Sequence, residues 1–357
     1  MTLRRMQVTD FRCLHYGDIE FDPQFTLFSG PNAAGKTSVL EAIYLLGRGR
    51  SFRTRRVQHL IRAGSDRLRV VGEMEIGVRR VTVGIEASSE GIHARVAGER
   101  VKSQADLASV LPVQIIDPEV HRLIEEGPSH RRRFLDWGVF HVEPHFIGHW
   151  QKYGQALRQR NAALRSGAQR LVVSAWDLEL VRYASLVTEA RQRYVELLAP
   201  VAAQVASKLL GLELALGFRA GWLRDLDFSQ ALERSWRQDQ EAGSTQVGPQ
   251  RAELTVKLDG VLARDRISRG QQKLLAAVLL ISQIKLFRPD AEVRPVLLLD
   301  DPAAELDADR LTAFIGELSA QPLQLVVTTL NQEVTKLEGF GNPGRAYRVR
   351  DGQLTGG

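Results

Sequence analysis

An α/β fold is what this sequence predicts: a mostly parallel sheet carrying a phosphate-binding loop, its two halves separated by an inserted helical lobe. Three observations predict it. Near the start, the β-like run Phe25-Thr26-Leu27-Phe28 leads through a glycine-rich loop into the apolar stretch Ser38–Leu46. Near the end, Val296-Leu297-Leu298-Leu299-Asp300-Asp301 and Leu325-Val326-Val327-Thr328-Thr329 are continuous apolar runs, the pattern of parallel strands buried on both faces. Between them the apolar spacing changes from strand-like to helical.

The loop Gly30-Pro31-Asn32-Ala33-Ala34-Gly35-Lys36-Thr37 has two glycines separated by four residues and followed by Lys and Thr. Glycines let backbone N–H groups curl around phosphate oxygens, and the helix N-terminus that follows adds positive potential at the same point. The expected nucleotide contacts are therefore Gly30, Asn32, Ala34, Gly35, Lys36, Thr37 and Ser38. Lys36 is expected at the β/γ-phosphates and the Thr37 hydroxyl at Mg²⁺.

After the first helix the chain alternates short strands and turns. Leu68–Ile76 and Arg80–Ile85 are strand-like, and Gly91 and Gly98 punctuate a further β section. From about Pro118 to Leu210 the period is helical. Trp150, Tyr153, Leu157, Ala163 and Leu164 fit one apolar face. Leu180, Ala184, Val187, Arg191, Tyr194, Leu198, Val201, Val205 and Leu209 form a second stripe, with a break expected at Pro200. Residues 237–250 read as a polar loop before the strand Glu253–Leu258. The expected division is thus an N-terminal ATPase part over 1–117, a helical lobe over 118–250 and a C-terminal ATPase part over 251–357.

Two later passages complete the chemistry. Asp300 and Asp301 fall at the C-terminal end of an apolar strand, where ligands collect in open α/β sheets. Asp300 is expected to support the Mg²⁺, and Asp301 to orient or deprotonate the attacking water as the catalytic residue. Ser268-Arg269-Gly270-Gln271-Gln272-Lys273 places a capping serine at the head of a helix expected over Leu274–Phe287, a geometry suited to anions.

Composition sets limits. The 357 residues allow two domains or one domain with a large insertion, and 44% hydrophobic content is ample for a core. No apolar run reaches the length of a membrane span, the N-terminus lacks a signal-peptide core, and Cys13 alone cannot form an intrachain disulfide, so a cytoplasmic chain is expected without a membrane partner. Net charge is +6, from 48 basic and 42 acidic residues, which is mild. The basic residues cluster, however. Arg50, Arg53, Arg55 and Arg56 lie in a stretch without carboxylates, and Arg131, Arg132 and Arg133 are consecutive. Clustered arginines of this kind suit DNA phosphate contacts, or a solvated basic face. His141, His145 and His149 have a helical spacing that would suit a metal, but Pro144 interrupts it and no nearby carboxylate pair completes a ligand set.

These motifs together resemble those of the RecF family of bacterial DNA replication and repair ATPases, over essentially the whole chain. The passages that carry the resemblance are Asp10-Phe11-Arg12, Leu40–Gly47 with Arg50-Ser51-Phe52-Arg53-Thr54, Arg131–Asp136, Gln159-Arg160-Asn161 and the Ser268–Lys273 signature. Ala304-Glu305-Leu306-Asp307 resembles the loop after the Walker B strand, and Thr328 stands at the switch position where transporter subunits commonly carry His. Two departures are Gln250, where the family commonly has His, and Ala304, where it usually has Ser. The resemblance implies an ABC-type ATPase head that uses ATP and Mg²⁺. It implies an ATP-dependent homodimer, with Ser268, Gly270, Gln271 and Asp307 of one protomer closing over ATP held by the other. It also implies binding to double-stranded DNA at junctions with single-stranded gaps, in concert with RecO and RecR and indirectly with RecA. Two other readings share the ATPase head. A chromosome-organising ATPase would need hundreds of residues of heptads between the motifs. A transporter subunit would be expected to have glycine at Arg269 and His near Thr328.

Overall fold

The computed structural model describes residues 2–77, 79–287, 293–302, 308–330 and 341–356. The chain divides into two compact units, Met1–Val120 with Pro289–Gly357, and His121–Arg288.

The first unit holds two six-stranded sheets. One is antiparallel, in the order Leu14–Glu20, Thr2–Phe11, Arg67–Ile76, Arg79–Ser88, Gly91–Val96, Glu99–Arg100. Alternation explains it: Leu68, Val70 and Met74 are buried, whereas Arg67, Arg69 and Glu75 between and beside them are more exposed. The other sheet runs Gln353–Gly356, Arg345–Arg350, Phe25–Ser29, Gln324–Thr329, Val296–Asp300, Val113–Ile116. All of its pairings are parallel except the edge pairing of Gln353–Gly356. Phe25–Ser29, Val296–Asp300 and Gln324–Thr329 are buried at every residue, as their unbroken apolar runs demand.

The P-loop helix, Lys36–Arg48, shares one hydrophobic core with both sheets. Val39, Leu40, Ile43 and Leu46 join Met6, Val70 and Ile85 of the antiparallel sheet and Phe28, Leu298 and Val326 of the parallel one. Close packing here needs small residues. A side chain at Gly47 would meet the Leu111 carbonyl oxygen and Val113 at 2.5 Å. At the rim, the Gln324 amide satisfies Leu3 at both its N–H and its carbonyl oxygen, each at 2.8 Å, and also reaches the Asp22 carbonyl oxygen at 2.8 Å.

The second unit is helical around a small sheet ordered Val261–Leu262, Glu253–Leu258, Leu214–Arg219. Its long helices are Pro128–Val142, Phe146–Arg165, Asp177–Leu210, Phe228–Ala242 and Arg269–Lys285. Buried ion pairs hold it. The fully buried Arg160 donates to Asp177 and Asp239 at 2.7 Å and to Thr245 at 2.8 Å. Arg191, equally buried, grips Asp136 at 2.8 and 3.0 Å and the Pro249 carbonyl oxygen at 2.7 Å, with its guanidinium 4.9 Å from the centre of the Trp150 ring. Asn161 accepts from both the N–H and the hydroxyl of Thr245, at 2.8 and 2.7 Å. The Arg131–Asp136 and Gln159-Arg160-Asn161 passages thus supply interior pairs of this unit.

Three expectations change. The helix Asp177–Leu210 runs unbroken through Pro200, because Pro200 and Glu196, whose carbonyl loses its partner, are both exposed to solvent. Residues 237–242 complete the capped helix Phe228–Ala242, so the loop begins only at Gly243. The second compact unit reaches 288, not 250, because the signature helix packs among the other helices of that unit.

Candidate nucleotide site and signature head

The loop from Gly30 to Gly35 leaves the C-terminal end of strand Phe25–Ser29 and is tethered there by Gly30 N–H donating to the Thr329 carbonyl oxygen at 3.2 Å. A side chain at Gly30 would collide with the Val349 carbonyl oxygen, and one at Gly35, whose φ is 113°, would sit 2.9 Å from Cys13 Sγ. No residue but glycine fits these two positions without displacement. Asn32 is exposed at the crest of the loop, while Ala34 and Ser38 are buried. Cys13 Sγ lies 3.6 Å from Ser38 Oγ.

Lys36 folds across the loop, donating to the carbonyl oxygens of Gly30 at 2.7 Å and Pro31 at 2.8 Å. Burial pulls its ammonium below the usual lysine range, and the carboxylates of Asp301 and then Asp300 oppose that pull. The Thr37 hydroxyl meets Asp300 Oδ2 at 2.9 Å and Oδ1 at 3.1 Å. Residues far apart in sequence therefore converge where the parallel strands end.

Thr328 links the two carboxylates. Its hydroxyl donates to Asp300 Oδ1 at 2.7 Å and accepts from the Asp301 N–H at 3.1 Å. Asp301 has φ 51°, in the left-handed region that aspartate enters more readily than most non-glycine residues, as Asp10, Asp259 and Asp351 also do in this chain. Thr37 and Asp300 offer a hydroxyl and a carboxylate, the hard oxygen donors that Mg²⁺ prefers. An ion bound there would neutralise charge on the phosphates.

A second network lies along the same helix. Glu41 is fully buried and accepts from Arg12 Nε at 2.9 Å and Nη2 at 2.8 Å. The Ser51 hydroxyl also donates to it, and Arg53 stands 3.8 Å away. The motif reading missed Glu41. A lone carboxylate inside the apolar run Ser38–Leu46 was its signal, and the arginine two residues beyond Asp10 was its counterpart. Of the basic turn, Arg53, Arg55 and Arg56 are at least partly exposed, and so is Arg50.

In the helical unit, Ser268 caps the signature helix Arg269–Lys285 through a reciprocal capping box with Gln271. Ser268, Arg269 and Gly270 are exposed, and a side chain at Gly270 would meet nothing within 4 Å. Arg131 does not belong with the DNA contacts. It is buried, paired to Glu253 at 2.8 and 3.1 Å, and its Nη1 donates to the carbonyl oxygens of Leu123, Ile124 and Glu126. Arg132 is half-buried and donates to the Ala252 carbonyl oxygen at 2.9 Å, whereas Arg133 is exposed. Gln250 bonds to Tyr153 and to the Thr245 and Val247 carbonyl oxygens, so that departure from the family pattern lies in the packing of this unit. His141 packs against Trp137 and Phe287, and among the described residues no three His, Cys, Asp or Glu side chains gather to hold a metal. Asp307 and Ala304 lie outside the described residues.

The sequence profile of the RecF/RecN/SMC N terminal domain matches residues 2–350. DNA replication and repair protein RecF of Pseudomonas fluorescens (strain Pf-5) is 39% identical over 361 residues, covering 99% of this chain and 98% of that protein. The chain belongs to the RecF family. The RecF of Shewanella sp. (strain W3-18-1) is 35% identical over 357 residues, covering 99% of each. Among solved structures, RecF-ATP, described as a recombination mediator protein of the RecFOR pathway, superposes with a TM-score of 0.88 at 25% identity, over 99% of this chain and 97% of that one. The Smc head domain of Pyrococcus furiosus shares the fold, with a TM-score of 0.60 at 16% identity. This RecF-family chain is accordingly an ATPase of the RecF/SMC kind, with an ABC-type head.

Proposed function

We propose that this chain is an ATP-gated DNA-binding protein of replication and recombinational repair. The observation that carries the reading is the convergence of Lys36, Thr37, Asp300 and Thr328 at one strand-end site, together with an exposed, serine-capped signature helix. ATP lies along Gly30–Ser38, with its Mg²⁺ at Thr37 and Asp300. Asp301 orients the attacking water and accepts its proton. In this reading two copies dimerise on ATP, and Ser268, Gly270, Gln271 and Asp307 of one close the site of the other. The open space at Gly270 supports such a partner.

The closed dimer grips double-stranded DNA beside single-stranded gaps, with Arg53, Arg55 and Arg56 as its first candidate phosphate contacts and Arg50 and Arg133 as further ones. It works in the cytoplasm with RecO and RecR to help RecA load. Hydrolysis is slow, is stimulated by DNA, and resets the clamp. No described helix is long and apolar enough to cross a membrane.

Size measurement with and without Mg·ATP and gapped duplex DNA tests this reading. The expected result is a monomer that doubles in mass with ATP and retains DNA in the doubled form. Ser268→Arg should leave ATP binding to the monomer intact and abolish the doubling. Loss of monomer ATP binding in that variant would put Ser268 in its own protomer's pocket and end the trans arrangement.

A further inference from the structure

We propose that Ser51 is a positioning residue that transmits the state of the nucleotide site to the basic turn Arg50–Arg56, an inference that rests on the ATP-gated DNA binding proposed above. Thr37, at the nucleotide site, and Glu41 are four residues apart on one helix and share a face. A shift of the helix start when Thr37 changes partners therefore moves Glu41 with it. Glu41 cannot dissipate that shift into solvent, because it is fully buried and held by Nε and Nη2 of Arg12. Arg12 also reports on the loop, since its neighbour Cys13 touches Ser38 and fills the space beside Gly35.

From Glu41 the path out runs through one hydroxyl. Ser51 Oγ donates to Glu41 Oε1 and accepts from the backbone N–H groups of Arg53 at 2.9 Å and Thr54 at 3.0 Å. Three partners on one atom fix the first residues of the turn to the helix. Arg53 itself stays half-exposed and 3.8 Å from Glu41, so its charge remains available to a phosphate. The turn's side chains can reach a ligand, while its backbone is tied to the nucleotide site.

Ser51→Ala removes the junction and leaves the Arg12–Glu41 pair whole; Ser51→Thr keeps the hydroxyl. The test measures the affinity of a gapped duplex with and without Mg·ATP, and of ATP with and without that duplex. In the parent protein the ATP-induced gain should fall in the range of about 5- to 150-fold typical of coupled sites. In Ser51→Ala it should shrink to within about twofold of unity, and by reciprocity so should the DNA-induced gain in ATP affinity. Ser51→Thr should restore both. ATP affinity without DNA should not move, and the thermal midpoint should fall in Ser51→Ala and recover in Ser51→Thr, because buried Glu41 loses one donor. An undiminished gain in Ser51→Ala, or no restoration by Ser51→Thr, overturns the proposal. Amide exchange at Arg53 and Thr54, measured without DNA, separates this idea from the functional reading. ATP should alter those rates in the parent and in Ser51→Thr but not in Ser51→Ala. Rates indifferent to ATP in the parent refute the Ser51 relay. Rates that respond, with no form gaining DNA affinity from ATP, support the relay and refute the DNA-binding role.

Discussion

Lys36 must keep a proton in a place that disfavours charge. Burial lowers its proton affinity, and Asp301 and Asp300 restore only part of it. A lowered lysine pKa means the cation is lost at a less alkaline pH than usual, so ATP affinity should hold near neutrality and fall on the alkaline side earlier than an ordinary lysine would dictate. Lys36→Arg, protonated throughout, should remove that alkaline limb, yet slow hydrolysis because a planar fork does not replace a compact ammonium. Titrating ATP affinity in both proteins checks this; a parallel alkaline fall in the two would exclude Lys36 as its cause. Thr328 supports a second prediction. Thr328→Val deprives Asp300 of a donor and the Asp301 N–H of its hydroxyl acceptor. A hydrogen bond to a charged group is worth about 1.5–3 kcal/mol, so turnover should fall roughly ten- to a hundredfold with ATP affinity little changed. Thr328→Ser should recover it in steady-state assays. Lys36, Thr37 and Asp300 were legible because their spacing is dictated by phosphate geometry. Glu41 and Arg12 were not, because a buried ion pair joins distant residues and leaves no local period.

Elements show where equal residues part company. Arg131, Arg132 and Arg133 are indistinguishable in sequence, but successive helix positions turn by about 100°, so three neighbours cannot share one environment. Arg131→Ala should cost the helical unit about 3–5 kcal/mol, since it strands Glu253 without its partner. Thermal unfolding would register the loss. Replacing Arg53, Arg55 and Arg56 with Ala should instead leave the thermal midpoint in place and make the salt dependence of DNA affinity shallower, by about 0.9 in log–log slope for each phosphate no longer neutralised. An unchanged slope would return this cluster to a solvated face. Strand and helix types followed from apolar periodicity, but helix ends did not. The helix Phe228–Ala242 carries a polar C-terminal half, and Pro200 sits in a helix whose stability comes from its packed face.

For the whole molecule, the split arrangement was readable because the P-loop and the Walker B strand lie far apart with a helical stretch between them. The position of the second boundary was not. The strand Glu253–Leu258 resumes a β pattern, yet it pairs with Leu214–Arg219 and not with the nucleotide-bearing sheet. A period of two identifies a strand without naming its neighbours.

The placement of Phe25–Ser29 has a consequence for the protein's synthesis. Its sheet neighbours are Gln324–Thr329 and Arg345–Arg350. As the chain leaves the ribosome, this apolar strand must wait until about 300 more residues have been made, roughly 15–60 s at ordinary translation speed. During that interval its N–H and carbonyl groups are an open edge for wrong partners, the helical unit can fold without relieving it, and the nucleotide loop has nothing to rest on. Ribosome-bound chains halted after residue 300 should therefore be captured by chaperones and digested at 25–29 by protease, while chains carried past 350 on an added linker should resist both and bind ATP. Protection of the shorter chains would mean that the strand finds shelter by another route. Capture and cutting of the shorter chains would instead make the time one five-residue strand is left waiting a determinant of expression yield.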